Sequence, residues 1–375
     1  MKMKLTHIHT AVIILVVGAV AGVLASIDFL KMTKPDIIYP AETLTKTAKL
    51  SDFNENLLGT NGDADIYFFD GASEGATVLL LGGTHPNEPA GFMTALLLVE
   101  NIHVDAGRVI VIPQACTSGF SCTDPMEGYP EFFHLQTRSG LRQFRFGSRV
   151  SNPLDQWPDP LVYSHIPSGQ KLSGFETRNL NRSYPGIKDG TFTERVAYAI
   201  VELIKEENVT VAFDLHEAAP EIPIIDAIVY HEKSEDIAMM AIMNLQFQDL
   251  SYAPEASPKN FHGLSHREWG DNTDVLPFLM ETCNPIQGRL RGKTNEELIL
   301  SGHSHQYLLA KQTGKLRIEY EDEGESIYRR VGRHLSGFLE LLNSYNGYYP
   351  DKPIIISNIP AYHDLMENGL ENYLN

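Results

Sequence analysis

The stretch LLLGGTHPNEPAGF, residues 79–92, leaves an apolar run and presents a histidine and a glutamate three residues apart, bracketed by Pro86 and Pro89. An imidazole and a carboxylate offered from one stiff turn are two of the three protein ligands that an open catalytic zinc site uses. The prolines reduce the entropy lost when a metal is gathered, and Gly82 and Gly83 let the chain bend sharply just before the ligands. A third ligand is His216, at the end of the apolar segment VTVAFDLHEA, and Glu281 closes another such segment, VLPFLMET. His85, Glu88 and His216 form a two-histidine, one-carboxylate set, and Glu281 is a carboxylate free to move protons beside it. A histidine and glutamate at this spacing are common by chance. The ordered set, each member at the end of a strand-like run, is not.

The elements that must position these residues follow from periodicity. ATVLLLGG and RVIVIPQ are short apolar runs suited to strands buried on both faces. AGFMTALLLVENI behind Pro89 and TFTERVAYAIVELIKEE read as helices. VTVAFDLHEA, IPIIDAIVYH and VLPFLMET are further strands, with helices at SEDIAMMAIMNLQF, NEELILSGHSHQYLLAKQTG and ESIYRRVGRHLSGFLELLNSY. Alternation of this kind predicts an α/β fold with a mixed, mostly parallel central sheet flanked by helices, whose ligands bind beyond the carboxyl ends of the strands. Residues 116–190 hold few periodic elements but many aromatics, and are expected to form a structured wall of the site.

The formal net charge of −18 excludes bulk electrostatic binding to nucleic acid or an anionic membrane. The amino terminus places Lys2 and Lys4 before an uncharged apolar run, Ala11 to Ile27, which predicts an exported chain with a signal peptide or a membrane anchor over residues 1–27. Any membrane contact is expected only through that segment. A loose linker over 28–63, a catalytic domain over 64–345 and an irregular tail over 346–375 complete the expected organisation. Of the three cysteines, Cys116 and Cys122 are close enough to pair in an exported protein, with Cys283 left free; three unpaired thiols is the other reading.

GGTHPNEPAG, RNLNRSYPG, DLHEA and LMET, in that order, resemble the catalytic domain of the succinylglutamate desuccinylase and aspartoacylase family within the zinc carboxypeptidase clan. The resemblance covers roughly residues 64–345. It implies one zinc per chain held by His85, Glu88 and His216, Glu281 as general base and acid, and Asn181 and Arg182 as anchors for a substrate carboxylate. A guanidinium fork with a neighbouring amide suits that last role on its own chemistry. A further arginine to polarise the scissile carbonyl is also implied. Arg178 is the first choice, with Arg149 or Arg145 as alternatives. The export segment, the long loop before NLNR and the lack of a clear all-β domain after the core set this chain apart from the small-molecule deacylases of that family.

The reading is therefore a zinc-dependent hydrolase cleaving an amide bond next to a carboxylate, in an N-acyl amino acid or at the carboxyl end of a peptide, including cell-wall peptides. A non-catalytic carboxylate-binding protein is the rival from another class. His303 and His305 in SGHSHQ lie two apart in an expected helix and point away from each other, so they are given a structural or rim role. His262 and His266 are candidates to line the pocket, and Asp214 to orient a ligand from behind. The chain lacks a P-loop glycine pattern and a dinucleotide fingerprint.

Overall fold

A computed structural model describes residues 7–375; Met1 to Thr6, with Lys2 and Lys4, lie outside the described residues. The chain opens with helix α1 (His7–Lys31), followed by strands β1 (Lys46–Lys49), β2 (Asp65–Asp70) and β3 (Ser73–Leu81), helix α2 (Pro89–Asn101) and strand β4 (His103–Ile112). Two hairpins follow, β5 (Phe132–Thr137) with β6 (Gly140–Arg145) and β7 (Val162–Ser164) with β8 (Lys171–Ser173). The second half holds α3 (Phe192–Glu206), β9 (Val211–Ala218), β10 (Ala227–Tyr230), α4 (Glu235–Gln246), β11 (Ala253–Ala256), α5 (Ser265–Asn272) and β12 (Leu276–Cys283). It closes with α6 (Glu296–Ser301), α7 (His305–Gln312), α8 (Ile327–Tyr348), β13 (Ile355–Ser357) and α9 (Tyr362–Asn368).

The main sheet runs β1-β2-β4-β3-β9-β12-β10-β11, with β13 also on β4. Its middle strands β4, β3, β9 and β12 are parallel, and antiparallel joins at β2/β4 and β10/β12 lead to the flanks. Side chains alternate between two cores. Val78, Leu80, Phe213 and Leu215 pack under α2, α4 and α8, while Leu79, Leu81 and Ala212 pack under α3 and α5. All eight residues of β9 are buried, as expected for a strand covered on both faces.

Local chemistry sets the helix starts. Pro89 sits at the start of α2, where its missing N–H costs nothing. Thr191 and Glu194 form a reciprocal capping box on α3. Gly91 lets α2 lie directly on β9: a Cβ there would stand 2.5 Å from the Leu215 carbonyl oxygen. The start of α2 and the end of β9 are thus held against one another, which brings Glu88 to His216.

Two expected boundaries are corrected. The stretch 28–63 is no loose linker, because β1 pairs antiparallel with β2 and Leu50 and Leu57 are fully buried. The tail 346–375 is likewise ordered by β13 and α9, with Leu365, Leu370 and Leu374 in the core. Apolar residues spaced too sparsely for a periodicity signal do this work. The helix expected over Ala11–Ile27 runs from His7 to Lys31, is long and apolar enough to cross a membrane, and has no buried residue. Cys116, Cys122 and Cys283 are free thiols. His303 and His305 are exposed on either side of a break, since α6 ends at Gly302 with φ of 62°.

His334 on α8 is buried beside Thr282 Oγ1 at 3.2 Å. Burial first, then the charges of His216 and Arg330, pushes its pKa down to about 3. The unfolded chain takes up that proton near pH 6.5 and the folded chain does not, so stability is complete above about pH 6.5 and falls as pH drops toward 3. Urea unfolding at pH 7.5 and pH 5 should show a smaller acid loss in His334→Gln than in the wild type, approaching about 1.4 kcal/mol less per pH unit. Parallel losses would mean that this histidine is not held neutral.

Candidate metal centre and cavity

Strands β3, β9 and β12 end side by side, with Leu81 opposite Asp214 and His216 opposite Glu281. The turn after β3 carries His85 and Glu88 over these ends. The sequence-predicted residues His85, Glu88, His216, Glu281, Asn181 and Arg182 all line one cavity of about 290 Å³, and Arg149 lines it too.

His85 Nδ1 lies 2.8 Å from Glu88 Oε1, His216 Nδ1 lies 2.9 Å from Glu88 Oε2, and the two Nδ1 atoms are 3.2 Å apart. All three side chains are buried. The far side of each ring decides where its proton sits. His85 Nε2 faces Asn179 Oδ1 at 2.9 Å, an oxygen that can only accept and that also takes the N–H of Asn181. His216 Nε2 lies 2.9 Å from Asp214 Oδ2, and Asp214 is itself fixed by the hydroxyls of Thr84 at 2.7 Å and Ser265 at 2.5 Å. The acceptor behind His85 therefore sets its proton on Nε2 and turns its Nδ1 lone pair toward the Glu88 carboxylate. His216 lies between two carboxylates, near Asp214 on one side and Glu88 on the other, a place for positive charge. Lone pairs facing a carboxylate at this distance repel unless a cation lies among them.

The charge balance agrees. Burial, then Arg149, pushes His85 down to about 4, so it stays neutral. Burial opposes charge on His216 as well, yet Asp214 and Glu88 hold it well above the ordinary histidine range: the site draws positive charge inward. Burial works against ionised Glu88, and the two histidines outweigh it to keep the carboxylate well below its usual range. Two imidazoles, one of them neutral and one held where positive charge is favoured, with one carboxylate and a group behind each ring, fit a divalent metal of the zinc type, which would replace the proton on His216. The second group of ligand-type residues, His231, Glu232 and Asp271, already holds the Arg267 guanidinium among them.

Glu281 lies outside this cluster. Its Oε2 is buried with no hydrogen-bond partner among the described residues, and burial raises its pKa to about 8. An unbonded carboxylate with a raised pKa is suited to accept and return a proton near neutral pH.

The arginines sort differently from the first expectation. Arg178 is locked by Asp159 at 2.7 and 2.9 Å and by the Ser151 carbonyl at 2.7 Å, and it does not line the cavity. Arg145 is tied to Asp36 and Gln114. Arg149 is the one that reaches the site, with Nη1 3.1 Å from Glu88 Oε1 and 3.3 Å from His85 Nδ1. Arg182 stands over Phe261 at 5.1 Å and bonds only the Asn181 carbonyl; burial pushes it down to about 10, and no carboxylate pairs with it among the described residues. Asn181 gives its Oδ1 to the Ser265 N–H. His266 lines the cavity and His262 does not. Sequence reasoning missed Asn179 and Gln287, whose Nε2 donates to Glu88 Oε1 at 3.1 Å. Asn179 stands two residues before Asn181 in the same NLNR run, the one signal that pointed to it.

No protein-family model matches the chain, and no curated protein does. Among solved structures it is similar to an aspartoacylase family protein from Mesorhizobium loti, at 19% identity over 59% of this chain and 56% of that one, TM-score 0.36. It is similar to the ectoine utilization protein EutE (DoeB) from Ruegeria pomeroyi at 18% identity over 58% and 53%, TM-score 0.37. It is also similar to the cell shape determinant Csd4 from Helicobacter pylori at 12% identity over 78% and 56%, TM-score 0.42. The chain thus spans little more than half the length of each of these structures. A succinylglutamate desuccinylase is a further structural neighbour.

Proposed function

We propose that this protein is a zinc-dependent hydrolase that cleaves an amide bond beside a free carboxylate. The observation that carries the reading is the convergence of three metal-ligating side chains, His85, Glu88 and His216, next to the unbonded Glu281 in one cavity with Arg149 and Arg182. A two-histidine, one-carboxylate set suits zinc, which when bound supplies Lewis-acid polarisation and lowers the pKa of water.

The residues of the chain do the rest. Arg182 and the amide of Asn181 anchor the substrate carboxylate, because Arg182 is a half-buried cation with no carboxylate paired to it among the described residues. The scissile carbonyl then lies toward Arg149, whose guanidinium faces the oxygen as negative charge develops there. Glu281 takes a proton from the attacking water as the C–O bond forms. It returns that proton to the amine as the C–N bond breaks, releasing a carboxylate and an amine.

Two substrate classes fit this chemistry: N-acyl amino acids and peptides cut at the carboxyl end. A groove of about 690 Å³ adjoins the cavity and shares Arg149 and Gln287 with it, which favours a substrate extending past the scissile bond, as a peptide does. With α1 as a signal or anchor, the protein works outside the cytoplasm.

Glu281→Gln tests the mechanism. It should keep its metal and lose roughly 10²- to 10⁴-fold in kcat against acyl amino acids or short peptides; unaltered turnover would remove Glu281 as the base. Arg182→Lys keeps the charge but not the fork, and kcat/KM should fall about 10- to 100-fold, mostly through KM. An unchanged KM would place the substrate carboxylate elsewhere.

A further inference from the structure

We propose that the protein touches the bilayer at a second place, an apolar tip formed by Leu154, Trp157, Leu161 and Phe175 that enters the neutral headgroup region of the membrane crossed by α1. The proposal rests on α1 as a membrane helix and is independent of the hydrolase reading.

The tip is open to an unusual degree: Leu154 is 93% exposed, Trp157 70% and Leu161 100%. Single exposed apolar residues are ordinary, whereas a contiguous group marks an interaction surface. Leu154, Trp157 and Leu161 fall within one short stretch, residues 154–161, and the pairing of Val162 with Ser173 brings the chain just before Phe175 against Leu161. Gly174 lies so close to the Pro160 carbonyl that a Cβ would stand 1.7 Å from its oxygen, which seats Phe175 beside Leu161. Pro153 and Phe175 line the same groove, and Arg178 clamps Asp159 from below.

The tip also sits next to the place where α1 leaves the domain. Arg145 holds the Met32 carbonyl at 3.2 Å and Asp36 at 3.1 Å, fixing the chain directly after α1. Thr33 and Pro35 border one cavity with Asn61, Ser121 and Arg145. Asn61 and Ser118 both grip Asp155, at 2.9 and 2.6 Å, and Asn152 bonds Ser121 at 2.8 Å and the Leu154 N–H at 2.9 Å. The foot of α1 and the root of the tip therefore rest on the same turn, residues 114–121. No residue of α1 is buried.

Chemistry selects the occupant. Tryptophan and leucine partition well into the zone between headgroups and acyl chains. A chain of net charge −18 is repelled by anionic lipid, so the contact is apolar and its surface neutral. Tethering by α1 keeps the tip at a high effective concentration beside the bilayer, so a small patch suffices.

The chain holds two tryptophans, and the other, Trp269, is fully buried. That makes Trp157 a native probe. The full chain is placed in phosphatidylcholine vesicles with and without bromine-labelled acyl chains, and tryptophan emission is recorded on material that floats with the vesicles. The proposal expects blue-shifted emission that bromine quenches, and loss of the quenchable component in Trp157→Phe while Trp269 emission remains. Leu154→Ser with Leu161→Ser should weaken the quenching. Emission of floated protein that is equal in both vesicles, quenching that survives Trp157→Phe, or a chain that does not float at all would each overturn it.

Discussion

Two imidazoles and a carboxylate are held against one another in a buried place that draws in positive charge, and the rest of the site is organised around the cation they call for. His85 Nδ1, His216 Nδ1 and both Glu88 oxygens meet at 2.8 to 3.2 Å in a buried place. An arrangement of that kind costs free energy unless a cation is drawn in, so the surrounding structure must enforce it. Asn179 does so from behind His85 by accepting its Nε2 proton, and the Asp214 carboxylate lies 2.9 Å behind His216 Nε2 as a counter-charge. Thr84 and Ser265 in turn fix Asp214. The Gln287 amide, the Arg149 guanidinium and the Glu217 N–H, 3.0 Å from Oε2, donate to Glu88 as well.

The fold makes this economical in residues. Parallel strands β3, β9 and β12 deliver the His85 turn, His216 and Glu281 to one edge in fixed register, and Gly91 removes the side chain that would keep α2 off β9. Glu88, at the amino end of α2, reaches His216 through that close approach. Such placement on strand ends and one helix start is more exact than loops alone could give, and the long excursion 116–190 adds Asn179 behind His85 together with Arg149 and the Asn181–Arg182 pair.

The sequence carried this arrangement unevenly. His85, Glu88, His216 and Glu281 were legible because each follows an apolar run that must be a buried strand, and strand ends are where α/β sheets place ligands. The arginine that reaches the cavity was not decided by sequence. Arg149 and Arg178 both lie in irregular chain, and only the Asp159 carboxylate, which captures Arg178, separates them. Residues 28–63 and 346–375 looked loose for a related reason. Their order comes from a few buried leucines and from pairing with β2 and β4, contacts between distant parts of the chain that leave no local period.

The measurement that bears most directly on the central claim is metal content and zinc affinity of the purified full chain, beside His85→Ala and Asp214→Asn. The account predicts about one zinc per chain, lost in His85→Ala and bound roughly 10- to 100-fold more weakly in Asp214→Asn, where the orienting carboxylate is gone. A folded wild-type chain that takes up no zinc when it is supplied, or a His85→Ala variant that binds it equally well, would contradict the account.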